Sequence, residues 1–320
     1  AMAGIGPAAT GALVEALTHS DVPVRSGAAR ALGGITPQPD TAIVPLAKAL
    51  SDSAAEVRTA AAEALGQFGD DALPQRASLI TATTDKTSQV RAAALFALTA
   101  IGCETDELVP ILAKALKDAD PLVRGRAMDA LAASDDAAQS LAKELVVALS
   151  DPQTQVRCSA ARAVGRLGKD AAFAVKPLSR ALADDSSDVR VAAAQALGRI
   201  GPPAAPAVAA LTRQLDDSNE AVILAAVESL AALEQAAGES LAALAKLTKH
   251  TQPPVRAAAV AAIASVKPDA AQSVQLLTDA LADDEWAVRK AAIAGLGSVG
   301  PPASSAVPAV FALMPSDQDR

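Results

Sequence analysis

The stretch Asp184-Asp185-Ser186-Ser187-Asp188-Val189-Arg190-Val191-Ala192-Ala193-Ala194-Gln195-Ala196-Leu197-Gly198-Arg199-Ile200-Gly201-Pro202 decides the fold. It reads as a turn, an amphipathic helix and a stop. The Asp and Ser residues ahead of Val189 offer acceptors to the orphan N–H groups of a helix start. Val189, Ala193, Ala196, Leu197 and Ile200 share one face at helical spacing. Gly201 is placed to take the left-handed conformation that ends a helix, and Pro202 blocks resumption.

The same valine recurs at 24, 57, 90, 123, 156, 189, 222, 255 and 288, always 33 residues apart. Four residues after each marker comes an alanine, from Ala28 to Ala292, and eleven before it a leucine, from Leu13 to Leu277. Nine copies in one phase define a repeat array, and that overrides a domain count based on length. For 320 residues length alone suggests about two globular domains, whereas a solenoid adds units to one stack. Each unit reads as two helices. The first covers about a dozen residues and ends near Leu17, Leu50, Leu116, Leu149, Leu182, Leu215 or Leu281, with Thr83 and Thr248 replacing that leucine in repeats 3 and 8. The second begins near each marker. The expected fold is therefore all-α, about nine two-helix repeats with partial repeats at both ends. It forms one domain over residues 1–320, since no Gly/Ser linker interrupts it.

Composition narrows the function classes. The chain is 51% hydrophobic but only 2% aromatic, with much of its apolar content in Ala, a strong helix former of small volume. A net charge of −8 argues against a nucleic-acid partner, which needs a basic stripe. No run of 18 apolar residues lacks a charge or Pro, so no membrane insertion is expected. Cys103 and Cys158 fall in different repeats, too far apart for a disulfide at roughly 10 Å per helix layer. Free thiols suit a reducing, cytoplasmic compartment. At the chain ends, Ala3-Gly4-Ile5-Gly6-Pro7 matches Gly198-Arg199-Ile200-Gly201-Pro202, and Val307, Val310 and Met314 match first-helix positions of a tenth repeat. The expectation is a segment of a longer array, with Ala1-Met2 as a cloning scar.

The pattern L-(x)₃-L-x-D-(x)₄-V-R-(x)₂-A-(x)₃-L-G-x-I-G resembles HEAT repeats, and the short, Ala-rich unit is similar to the bacterial subgroup named after phycobilisome lyases. The resemblance spans essentially the whole chain. It implies a right-handed α-solenoid with the first helices convex and the second lining the concave face, and a role in protein–protein recognition. It also implies an Asp–Arg ladder. Arg58, Arg91, Arg124, Arg157 and Arg190 follow their markers, and Asp52, Asp85, Asp118, Asp151 and Asp185 lie in the turns before. A track for an acidic ligand is the other reading. The regular pairing of Arg with Asp favours inter-repeat bridges, because a guanidinium fork matches carboxylates and carbonyls. Ile223 replaces the arginine in repeat 7, and Asp is missing before Arg256 in repeat 8, so the ladder is interrupted there.

On the second helices, positions two, six and nine after the marker should point away from the Val/Ala/Leu face. Most are small, which suits either close helix approach or a shallow groove. Phe96, Val191 and Leu224 are large apolar exceptions, with Arg126, Asp129, Arg162, Arg166 and Arg199 as charged neighbours on successive helices. A contiguous set of this kind marks an interface. Trp286 occupies a turn position held by Ser187 and Thr154 elsewhere, and serves as an interface anchor or packs along its own helix.

Chemistry-bearing motifs are sparse. His19 and His250 have no zinc spacing, no Cys-x-x-Cys-His or phosphate loop occurs, and Ser186-Ser187 and Ser304-Ser305 lack an activating His. No catalytic residue, metal or cofactor is expected. The sequence reads as a non-enzymatic scaffold for a protein or peptide. A phycobilin lyase or isomerase-like activity, suggested by the subgroup alone, and a spacer for a separate domain are the alternatives. The aromatic-poor second helices offer a tetrapyrrole little stacking surface.

Overall fold

The computed structural model describes residues 9–35, 40–266 and 270–313; the readings made on Ala1-Met2, Ala3 to Pro7 and Met314 lie outside the described residues. Among the described residues all regular structure is helical, in the α-solenoid class. The chain divides into two compact units, Ala1–Ala148 and Leu149–Arg320.

In the first unit the second helices Val22–Gly33, Ala55–Gln67, Ser88–Ala100 and Pro121–Ala133 pack side by side in chain order. In the second unit Thr154–Arg166, Ser187–Ile200, Glu220–Ala232, Pro253–Val266 and Trp286–Val299 do the same. Most first helices are shorter than the dozen residues expected, although Thr105–Ala115 has eleven. Ile43–Ala49, Arg76–Ala82, Val175–Ala181 and Leu241–Leu247 have seven residues each. A 3₁₀ segment leads into most of them, such as Gly69–Gln75 or Pro202–Ala207. The residues counted as one helix are thus a tight turn followed by two turns of α-helix, because prolines such as Pro74 and Pro206 cannot donate to an α ladder.

The seam between helices follows from the marker residues. Eight of the nine marker valines are no more than 1% exposed, and the leucines from Leu46 to Leu277 are fully buried. Each such side chain contributes about 1.5–3 kcal/mol relative to an exposed one. Val24 is the exception at 38% exposed, since no described second helix precedes it to cover that face.

Two local expectations change. No side chain caps the helix at Ser187–Ile200; its N-cap is Ser186, and Asp184 Oδ1 instead accepts from the Ser186 N–H at 3.0 Å. The turn carboxylate is held by the ladder, which leaves it facing the turn and not the helix end. Gly201 does take a positive φ of 73°, but its ψ of −145° lies outside the left-handed helix, in a region that only glycine occupies freely.

The ninth position after the marker is also not a surface column. A Cβ added at Gly198 would stand 2.8 Å from Ser229 Oγ and 3.0 Å from Ser229 Cα of the next repeat. Glycine there lets neighbouring helices touch backbone to backbone, which accounts for the small residues by close approach. Of the second, sixth and ninth positions, the sixth alone is exposed in all nine repeats.

Candidate functional site

The turns carry a repeated electrostatic device. Arg58 sends Nε to Asp85 Oδ2 at 2.7 Å and Nη2 to Asp85 Oδ1 at 2.9 Å, while Nη1 donates to the carbonyls of Asp52 and Ser53 in its own turn. The same fork joins Arg25 to Asp52, Arg91 to Asp118, Arg157 to Asp184, Arg190 to Asp217 and Arg256 to Asp283. Every partner lies 27 residues on. Each aspartate closes its own turn as well, as Asp52 Oδ1 does by accepting from the Ala54 N–H at 2.8 Å. In the same way Asp151 Oδ1 accepts from the Gln153 N–H, and Arg124 Nη1 donates to the carbonyls of Asp118 and Ala119.

The geometry refines the carboxylate set. Asp184, one residue before Asp185, is the register partner of Arg157; Asp185 reaches Arg157 Nη2 at 3.1 Å from a side chain that is 92% exposed. The fork explains the titration behaviour. Hydrogen bonds from Arg25, Arg91 and Arg190 hold Asp52, Asp118 and Asp217 below the usual carboxylate range, against the opposing effect of burial. Arg256 does the same to Asp283, which is held down to about 2.

The two histidines belong to this device. His19 and His250 stand at the aspartate register of repeats 1 and 8. Their Nδ1 atoms accept from the N–H two residues on, at 3.1 Å each, and their carbonyls accept from Arg25 and Arg256. Motif reading left them isolated; their separation of seven 33-residue periods was the available signal.

The candidate interaction site lies on the exposed face of the second helices in the first unit. Phe96 is 40% exposed and Leu122 43% exposed, and both line a cavity of about 370 Å³ with Thr59, Glu63, Gln89 and Arg126. The Arg126 guanidinium lies 5.9 Å from the Phe96 ring centroid, and its Nη1 is 3.5 Å from Asp129 Oδ2. Ala92 and Ala93 complete the lining with small side chains, and Gly66 leaves the Phe96 ring its place, since a Cβ there would meet Phe96 Cε1 at 3.2 Å. The structure therefore brings Phe96, Arg126 and Asp129 together. Leu122 was missed, although it is a bulky apolar residue just before its marker, where Glu56, Gln89, Gln155 and Asp188 are polar.

The remaining candidates belong to the second unit. Val191 and Leu224 are half-buried, not outward-facing as expected, because the second position after the marker turns toward the neighbouring helix. Arg162, Arg166 and Arg199 are exposed, and Arg199 Cδ crosses the space beside Gly165. Trp286 opens its helix at 62% exposure, with Lys290 Nζ 5.1 Å from the ring centroid one turn on. No helix among the described residues is long and apolar enough to cross a membrane.

Comparison with known proteins agrees with this geometry. The family model described as HEAT repeats matches residues 10–81, 76–146, 142–231, 175–264, 208–292 and 241–320. No curated protein matches the chain. Among solved structures, an engineered protein is similar with 25% identity and a TM-score of 0.60, over 93% of this chain and 92% of that one. Kap95p in a complex with RanGDP is 16% identical with a TM-score of 0.63, and Kap95 in a complex with Nup1 is 14% identical with a TM-score of 0.64. The match covers 95% of this chain and 46% of each Kap95 chain, so the chain spans about half the length of those neighbours.

Proposed function

The chain belongs to the HEAT-repeat family, and from that premise we propose that it is a non-enzymatic scaffold that binds a protein or peptide along the exposed face of its second helices. One observation carries the reading. The sixth residue after each marker is exposed in every repeat and runs Arg30, Glu63, Phe96, Asp129, Arg162, Gln195, Glu228, Ala261, Ala294. The inward positions of the same helices keep the same Val and Ala throughout. Packing demands uniformity inside; the variety outside answers to no internal contact pattern and is free to match a partner. The Kap95 neighbours hold protein partners in their complexes, which is consistent with this use of the fold. On the family pattern this face is the concave one, and many modest contacts spread over several repeats supply affinity.

A photo-crosslinking amino acid tests the proposal in cells that make the protein. It is placed at positions 63, 129, 195 and 228 on the exposed second-helix column, and at the exposed first-helix positions Lys48, Lys114, Lys176 and Lys246. Protein adducts are expected at the second-helix sites. Adducts confined to the first-helix sites, or none at all, would overturn the reading.

A further inference from the structure

Resting on the scaffold reading, we propose that the cavity of repeats 2 to 4 takes a peptide segment in which an apolar side chain is flanked by a lysine or arginine. The argument starts from what the cavity already satisfies. Phe96 lies on the middle of three packed second helices, with Glu63 on the helix before it and Arg126 on the helix after it. Phe96 and Leu122 present apolar surface to solvent, and Ala92 and Ala93, which also line the cavity, take up little of its space. A volume of about 370 Å³ is enough for one large apolar side chain and part of its backbone.

The charges decide the sign of the occupant. Arg126 is already engaged, with Asp129 at 3.5 Å and the Phe96 ring beneath it. Glu63 is exposed and makes no ion pair among the described residues. Glu56 lies two turns earlier on the same helix, exposed on the same face and likewise without an ion pair among the described residues. The cavity lining thus carries one free carboxylate, Glu63, and one internally neutralised guanidinium. A basic residue next to the apolar anchor meets Glu63, and an acidic one would face it without compensation. Thr59 and Gln89 offer hydrogen-bonding groups between the charged side and the ring. An amphipathic helix laid across the groove presents an apolar and a basic residue one turn apart, the spacing this arrangement asks for.

A displayed library of random twelve-residue peptides, selected on the whole chain, tests the proposal. Recovered peptides are expected to pair an aromatic or aliphatic residue with Lys or Arg within one turn. Binding should fall more than about tenfold in Phe96→Ser, in Leu122→Ser and in Glu63→Lys, as anchor residues of an interface do. Glu239→Lys, an exposed charge reversal in the other unit that lies outside the second-helix column, should leave it unchanged. Selection on Glu63→Lys should exchange the basic residue for an acidic one. Peptides that bind equally well to all of these variants would overturn the cavity assignment while leaving the scaffold reading in place. Acid-rich peptides dependent on Phe96 would overturn the charge assignment, and recovery of no binding peptide would overturn the proposal itself. Circular dichroism melting of Leu122→Ser and Glu63→Lys, both at exposed positions, separates lost binding from lost folding.

Discussion

Two neighbouring joints of the second unit, between repeats 6 and 7 and between repeats 7 and 8, solve the same packing problem differently. The first uses every device the array has. Arg190 grips Asp217 with Nε at 2.8 Å and Nη2 at 2.9 Å. Gly198 lets Ser229 come close enough to donate to the Ala194 carbonyl at 2.7 Å. Gly201 makes the turn with a φ of 73°. The second joint lacks all three. Ile223 stands for the arginine and is 5% exposed, His250 for the aspartate, Ala231 for Gly198, and Glu234 for Gly201 with a φ of 51°. Yet Glu220–Ala232 and Pro253–Val266 still pack together. The apolar seam therefore carries the array, and the ladder is a rung-by-rung addition. Since each rung joins one repeat to the next, the Ile223 and His250 substitutions remove one rung, not two.

The largest expected effect lies at the joint without a rung. Ile223→Ala removes a buried side chain that has taken over from the ion pair, and should cost roughly 2–4 kcal/mol in urea denaturation. A loss below about 0.5 kcal/mol, ordinary for a surface site, would show that this joint is slack and not packed.

Next comes the intact rung. Arg190→Ala leaves Asp217 without its charged donor, and with side chains only 15% and 10% exposed it should cost roughly 1.5–3 kcal/mol, the range for charge-assisted bonds. Acid behaviour sharpens the test. A carboxylate with a depressed folded pKa adds stability above its unfolded value and loses it as pH falls through the folded one. For the ladder that window runs from about 4, the ordinary aspartate value, toward the value of about 2 reached at Asp283. Wild-type stability should fall steeply across it, and the fall should be shallower in Arg190→Ala, because Asp217 then loses the donor that lowers its pKa most. Equal slopes would mean that the rung contributes nothing to the acid transition.

Building the missing rung is a smaller change. Ile223→Arg and His250→Asp should each destabilise alone, one by burying an unpaired charge and the other by adding a carboxylate with no fork to meet it. Together they should recover about 1 kcal/mol as coupling in a double-mutant cycle. Additive losses would show that the turns of repeats 7 and 8 stand at a different spacing from those with rungs. Of similar size, Glu234→Gly should gain about 1 kcal/mol in denaturation by relieving a positive φ on a residue with a Cβ. An unchanged stability would mean that the turn relaxes around Glu234 without strain.

The 33-residue valine phase already contained the repeat, the two helices per repeat and the buried Val, Ala and Leu positions, because helical periodicity and burial are local consequences of residue order. Asp and Arg in each turn likewise announced a ladder. Only the tertiary structure decided which aspartate faces which guanidinium, since Asp184 and Asp185 are equivalent as neighbours in sequence and differ only in which one meets Arg157 edge-on. It also decided which helix positions remain outside. The ninth position after the marker is consumed by backbone contact with the next repeat, and the second is turned half inward, as Val191 and Leu224 show. Leu122 joined Phe96 for the same reason. Proximity across stacked helices depends on how closely the backbones approach, and that distance is set by the packing between repeats, not by the spacing of residues along the chain.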